Sequence, residues 1–319
     1  MILCCGEALV DMIPEPTVGG REGFVPHPGG AVFNTAIALG RLGVKTGMFT
    51  GLSTDMFGQQ LKTALEASHV DTSRVVTSDR PTTLAFVHLA GGQASYSFFD
   101  ENSAGRMLTP DVLPALPDEV SALFFGGISL ASEPAADAYA AFLARGRGGR
   151  AVMLDPNIRP GFIRDVARYR ARLDGMIRLA DIVKVSDEDL NWIVPEPQSV
   201  REKVDAILAK GPSLVVLTRG GDGATGFLAG GGTVYAPAIR VRVVDTVGAG
   251  DTFNAGLLAR LSELGLLRNA DLKTLHPASL EQALAHGARV AAFTVSRSGA
   301  NPPWAEELVP NPGTGEPGG

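Results

Sequence analysis

The sequence predicts an α/β fold in which helices cover a mainly parallel sheet. Short, continuously apolar runs rich in β-branched and aromatic residues recur along the chain, as suits strands buried on both faces. Helix-length segments fall between successive runs, the alternation that builds such layers. Of the 319 residues, 45% are hydrophobic and 19% charged, enough apolar material for a sizeable core. Length alone allows two domains or one large α/β unit.

In chain order, the strand runs are ILCCG (2–6), GMFTGL (47–52), ALFFGGI (122–128), AVMLD (151–155), DIVKVS (181–186) and SLVVLT (213–218). Helices are expected at 31–42, 55–67, 133–145, 163–178 and 199–209; the third opens on Ser132-Glu133-Pro134, a cap followed by a first-turn proline. Two regions break the alternation. Residues 84–99 read as two strands around Ala90-Gly91-Gly92-Gln93, a hairpin signal. Residues 11–28 are too rich in Pro and Gly for a core element, and both regions suit a small β flap projecting from the main layer. Further on, 224–244 reads as short strands, 250–266 and 279–294 as helices, and 311–319 as a disordered tail.

The formal net charge of −6 gives no support to a nucleic-acid or anionic-membrane partner. Cys4 and Cys5 are adjacent in an apolar run, which suits two buried thiols in a reducing compartment. The N-terminus lacks a basic n-region and meets Glu7 and Asp11 early, so it does not read as a secretory signal. A cytoplasmic protein is expected.

The phosphate-loop pattern GxxxxGK[ST] is absent. One GxGxxG occurs, at Gly221, Gly223 and Gly226, after a strand. It leads into FLAGGGTVY, a hairpin-like stretch, whereas a dinucleotide fingerprint must open a helix; a nicotinamide oxidoreductase is therefore disfavoured. The stretch DTVGAGDTFNAG (245–256) is different. Its small residues let backbone N–H groups approach an anion, and the following helix aims its unpaired N–H groups at the same point. Gly248, Ala249 and Gly250 thus form an anion cradle. Asp251 beside it is either the base that takes a proton from an attacking hydroxyl or an ordinary first-turn carboxylate.

These residues resemble the ribokinase-like, or PfkB, family of carbohydrate kinases. Asp245 to Asp251 matches its C-terminal signature, GGAVFNTAIALGRLG (29–43) its N-terminal one, and GEALVD (6–11) and GLSTDMFG (51–58) are also similar; the likeness runs over about 1–305. It implies one three-layer α/β/α kinase domain over 1–310, with a β lid formed by about 11–28 and 84–105. The implied reaction moves the γ-phosphoryl of ATP to a sugar hydroxyl with Mg²⁺, Asp251 being the base. Asp11 would accept from sugar hydroxyls, Gly29 and Gly30 would let backbone come close, and Asn34 would offer a donor and an acceptor.

The resemblance extends to four further segments. In DPNIRPGF (155–162), Arg159 would bridge substrate and phosphate, and Asn157 would order metal-bound water. In VKVSDEDL (183–190), Lys184 fits the family pattern, while Ser186 and Asp189 stand where Asn and Glu are usual. Asp189 has a shorter reach toward Mg²⁺ through water, and it also suits capping of the next helix. TRGGDG (218–223) supplies Thr218, Gly220 and Gly223 of a nucleotide loop beside Val247, and Gly287 would flank adenine. A monovalent cation, K⁺, would be held by Asp245 and the carbonyls of Val247, Thr294, Arg297 and Gly299, although Pro303 stands at the family's serine position.

The branch resembled most is fructokinase. Phe98 and Phe99 alternate along a lid strand, so one faces the sugar, and Phe98 is the expected one. Asp100 would repel an anionic substrate, which favours fructose over 2-keto-3-deoxygluconate. A nucleoside kinase shares the core motifs, and a non-catalytic sugar-binding protein would not need Asp251. An exposed lid edge suggests a homodimer.

Overall fold

The computed structural model describes residues 1–90 and 93–309, with side chains outside 89–95. Its strands are β1 (Ile2–Cys5), β2 (Leu9–Pro16), β3 (Glu22–Gly29), β4 (Thr46–Phe49), β5 (Gly51–Ser53), β6 (Val70–Asp71), β7 (Val76–Ser78), β8 (Leu84–Ala90), β9 (Gln93–Phe99), β10 (Ala122–Gly126), β11 (Ala151–Asp155), β12 (Ile182–Ser186), β13 (Leu214–Thr218), β14 (Ala224–Leu228) and β15 (Thr233–Ala236). Its helices are α1 (Ala31–Arg41), α2 (Met56–Ala67), α3 (Ala135–Gly146), α4 (Val166–Leu179), α5 (Asp187–Ile193), α6 (Val200–Leu208), α7 (Ala249–Glu263), α8 (Asn269–Lys273) and α9 (Pro277–Val295).

The main sheet runs β15-β14-β13-β12-β11-β10-β1-β4-β6. All its pairings are parallel except β13–β14 and β14–β15. Period-two alternation splits the core. Ile2, Cys4, Phe124, Met153 and Val216 face one cluster, with α1, α7 and α9. Leu3, Cys5, Phe125, Leu154 and Leu217 face the other, with α3, α4 and α6. That is the three-layer α/β/α arrangement, and it explains why the strand runs show no polar face.

A second sheet, β3-β2-β8-β9, stands apart as the lid. Its strands pair antiparallel except β2 with β8. Residues 11–28 therefore form a true hairpin despite their prolines; Pro14 and Pro16 lie in β2, Pro26 and Pro28 in the edge strand β3. Gly91 and Gly92, the expected turn, and the tail 311–319 lie outside the described residues.

Three element expectations need correction. The run 47–52 is two strands in two sheets, because β5 leaves β4 to pair with β7. A Cβ on Gly51 would lie 2.1 Å from the Ala104 carbonyl, so only glycine permits that close passage. Strand structure in 224–244 stops at Ala236, and residues 237–244 form an irregular loop. The helix expected at 250–266 ends at Glu263, before Gly265 turns the chain at φ +72°. No helix among the described residues is long and apolar enough to cross a membrane.

Candidate active site

Parallel strands deliver their next residues to one edge of the sheet, where crevices form in such folds. Here Glu7, Gly127, Asn157, Ser186 and Thr218, at or just beyond the ends of β1, β10, β11, β12 and β13, line a cleft of 970 Å³, with Lys184 from within β12. The lid roofs one end with Leu9, Asp11, Tyr96 and Phe98. The α7 N-terminus enters from the helix layer that holds α1 and α9.

That N-terminus is shaped by Gly248, its cap, at φ +77°. A Cβ there would meet Ala300 at 2.7 Å, and one on Gly250 would lie 3.2 Å from Lys184 Nζ. The floor of the cradle is thus free of side chains, as a bound phosphate requires. Asp251 follows in the first turn, 8% exposed. Its Oδ2 accepts from Asn34 Nδ2 at 2.9 Å, and its backbone carbonyl accepts from Thr35 Oγ1 at 3.1 Å. Burial, with the negative charges of Asp155 and Glu7, pushes Asp251 up to about 7; Asn34 and Lys184 act the other way. A carboxylate at that value is poised for proton transfer near neutrality.

Behind the cradle, Asp155 Oδ2 accepts from Lys184 Nζ at 3.0 Å and Asn254 Nδ2 at 2.7 Å. This buried set ties β11, β12 and α7 together. On the lid side, burial raises Asp11 to about 6. Glu7 Oε1 accepts from Ala31 N at 3.0 Å and Oε2 from Ser129 N at 3.2 Å, fixing the start of α1.

The cleft brings together Asp11, Gly30, Asn34, Phe98, Asn157, Arg159, Lys184, Ser186, Asp189, Thr218, Gly220, Val247, Gly248, Ala249, Gly250 and Asp251. Asn34 is already committed to Asp251, so it holds the carboxylate as well as facing the cleft. Phe98 stands edge-on to Phe162, with ring centroids 4.0 Å apart, while Phe99 points outward at 58% exposure. Asp189 completes a capping box with Ser186 at the start of α5, and its Oδ1 accepts from Ile158 N at 2.7 Å.

Other expected residues lie elsewhere. Gly29 sits under the Asp11 carboxylate, where a Cβ would fall 2.2 Å from Oδ2. Gly223 turns the chain into β14 at φ +88°, against the Ala236 carbonyl. Gly287 lies in the crossing of α9 with α7, facing Phe253 and Gly256, so its flatness serves helix packing and it does not line the cleft. Thr294, in the last turn of α9, and Arg297 and Gly299, in the turn that follows it, stand outside the cleft; Asp245 clasps that turn, accepting from Gly299 N at 2.9 Å, and also accepts from Val247 N at 3.0 Å. Asp100 is not a bare acid: it is ion-paired with Arg106. Sequence reasoning missed Glu7, Tyr96 and Arg106. Tyr96 was findable, since it shares the lid face of Phe98 by period two.

A parallel-sheet cleft with a side-chain-free helix N-terminus, a buried carboxylate beside it and a separate β lid defines a class: α/β proteins built to set an anion against an acid–base group. The model of the pfkB family carbohydrate kinases matches residues 1–307, and the chain belongs to that family. It is 50% identical over 291 residues to a fructokinase of Rhizobium leguminosarum bv. trifolii, covering 90% of this chain and 86% of that one. Its fold is similar to a crystal structure of fructokinase with bound ATP from Xylella fastidiosa, with TM-score 0.85 and 28% identity over 94% of this chain and 93% of that one. A fructokinase double mutant from Vibrio cholerae O395, bound to fructose, ADP and a potassium ion, is also similar, with TM-score 0.81 and 28% identity over 94% and 93% of the two chains.

Proposed function

We propose that the chain is an ATP-dependent fructokinase that converts fructose to fructose 6-phosphate. The observation that carries the chemistry is the place of Asp251, buried between the lid end of the cleft and the amides of the α7 N-terminus. The 50% identity to a fructokinase supports the choice of sugar. In this reading Asp11, Gly30 and Phe98 hold the sugar under the lid. The primary hydroxyl oxygen attacks the γ-phosphorus, the bond from that phosphorus to the ADP oxygen breaks, and the hydroxyl proton passes to Asp251. The amides of Ala249, Gly250 and Asp251, with Arg159 and Lys184, hold the charge of the transferring group.

The adenine end would lie along Ser186, Thr218, Gly220 and Val247. Among the described residues no three His, Cys, Asp or Glu side chains gather to cage a metal. That fits Mg²⁺, which keeps waters and binds largely through substrate phosphates. Asp189 Oδ1 retains a lone pair for a metal-bound water, and Asn157 stands nearby in the cleft. When bound with nucleotide, Mg²⁺ would neutralise phosphate charge. K⁺ would sit by Asp245 and the carbonyls of Val247, Thr294, Arg297 and Gly299, at the end of α9 and the turn after it, steadying the cradle from behind. Cys4 and Cys5 are free and buried, which supports a cytoplasmic setting. On the outer lid face Phe24, Phe86 and Phe99 form a row, with centroids 5.0 and 5.4 Å apart, that supports lid-to-lid dimerisation.

An ADP-release assay with Mg-ATP tests the reading. Fructose should be preferred over glucose, ribose, adenosine and 2-keto-3-deoxygluconate. Asp251→Asn should lose about 10²–10⁴-fold in turnover while keeping most sugar affinity. Near-native turnover in that variant would remove Asp251 from the mechanism.

A further inference from the structure

The lid end of the cleft carries matched charges. Arg106 and Asp100 both line it, are ion-paired, and leave 14% and 7% of their side chains exposed. Glu101 and Arg164 line its rim 3.6 Å apart. The Asp100–Arg106 pair is held by its own backbone. Ser103 N donates to the Asp100 carbonyl at 3.0 Å, Arg106 N donates to Ser103 Oγ at 3.2 Å, and Thr83 Oγ1 donates to the same hydroxyl at 2.7 Å. Ala104 N donates to the Pro81 carbonyl at 2.9 Å. Asp100 shares the inward lid face with Tyr96 and Phe98.

We infer that the Asp100–Arg106 pair is a specificity device: Asp100 occupies Arg106 so that the sugar end accepts neutral polyols and refuses sugar acids. The inference rests on reading this cleft as the sugar site. A fixed pair offers hydroxyl groups both an acceptor and a donor at zero net charge. A substrate carboxylate would find the guanidinium already engaged and meet repulsion from Asp100, so rejection is built as much as affinity. Removing only the acid leaves a nearly buried guanidinium without its partner, in a position that a planar carboxylate suits bidentately.

The test compares the native chain with Asp100→Asn, Arg106→Gln, Asp100→Asn/Arg106→Gln and the exchanged pair Asp100→Arg/Arg106→Asp. Each is assayed for ADP release with fructose and with 2-keto-3-deoxygluconate. Asp100→Asn should shift the kcat/KM ratio toward the acid by about tenfold or more. Adding Arg106→Gln should abolish that shift, and the exchanged pair should keep native selectivity. Inhibition of neutral-sugar phosphorylation by 2-keto-3-deoxygluconate gives a second readout, with a lower Ki expected in Asp100→Asn only. Proportional loss on both substrates, a shift that survives loss of Arg106, or an exchanged pair that prefers the acid would each overturn the inference. A native chain that ignored fructose but used another neutral acceptor would overturn the fructose reading alone; the acid arm, set against that acceptor, would still decide the pair.

Discussion

Asp251 has to be ionised to accept a proton, and burial holds its value near 7. The acid limb of kcat/KM should therefore fall through about pH 7 in the free enzyme. Asn34 lowers that value by donating to the charged carboxylate, so Asn34→Ala should move the limb to higher pH; a pH–rate profile of the two proteins checks the sign. The same burial opposes folding. Asp251 binds its proton more tightly folded than unfolded, so its contribution to stability is greatest below about pH 4 and is lost as pH rises through about 7. Asp251→Asn removes that charge. Melting curves should show the variant gaining on the native chain from about pH 4 to about pH 7 and holding a constant lead above that. At this scale the sequence was informative wherever a residue type met a backbone need, as in Gly248-Ala249-Gly250-Asp251. It was silent on which side chains had already found partners. Asn34 with Asp251 and Asp100 with Arg106 are such cases, the first spanning 217 positions of chain.

The α7–α9 crossing shows how an element can imitate a binding feature. Gly287 in a small-residue helix suggested a flat wall for adenine, yet the neighbour it admits is Phe253 of α7. A Cβ on Gly287 would lie 3.0 Å from the Phe253 carbonyl, and one on Gly256 would lie 2.8 Å from Gly287 Cα. Gly287→Ala should cost about 1–3 kcal/mol by overpacking while leaving KM for ATP within about twofold. Denaturant unfolding and steady-state kinetics separate those effects. A large rise in KM with unchanged stability would restore the adenine role. Strands buried on both faces were legible because a parallel sheet needs unbroken apolar runs. The lid was legible only as departure from that pattern, since its proline-rich hairpin depends on pairing partners far along the chain: β2 meets β8, more than 70 positions on.

At the scale of the molecule, the outer lid face leaves Phe99 58% exposed and Phe24 39% exposed. If two chains bury these rings together, light scattering should give about twice 33.2 kDa, and Phe99→Glu should return the mass to that of one chain. A native chain of single mass would end the dimer reading without touching the chemistry. The α/β class could be read from alternation and run length, and the three-layer arrangement followed from the family resemblance; subunit contacts could not be read, because an exposed aromatic on a strand looks the same whether water or a partner covers it. One of the roots that join the lid to the core is residues 6–8, between the end of β1 and the start of β2. Within that root Glu7 anchors both Ala31 and Ser129. The far end, Thr17–Arg21, is an exposed turn closed by its own hydrogen bonds. Descendants of this chain can therefore lengthen or trim the lid at its tip, re-tailoring what it covers, whereas a single residue added at the root would pull the anchor out of place.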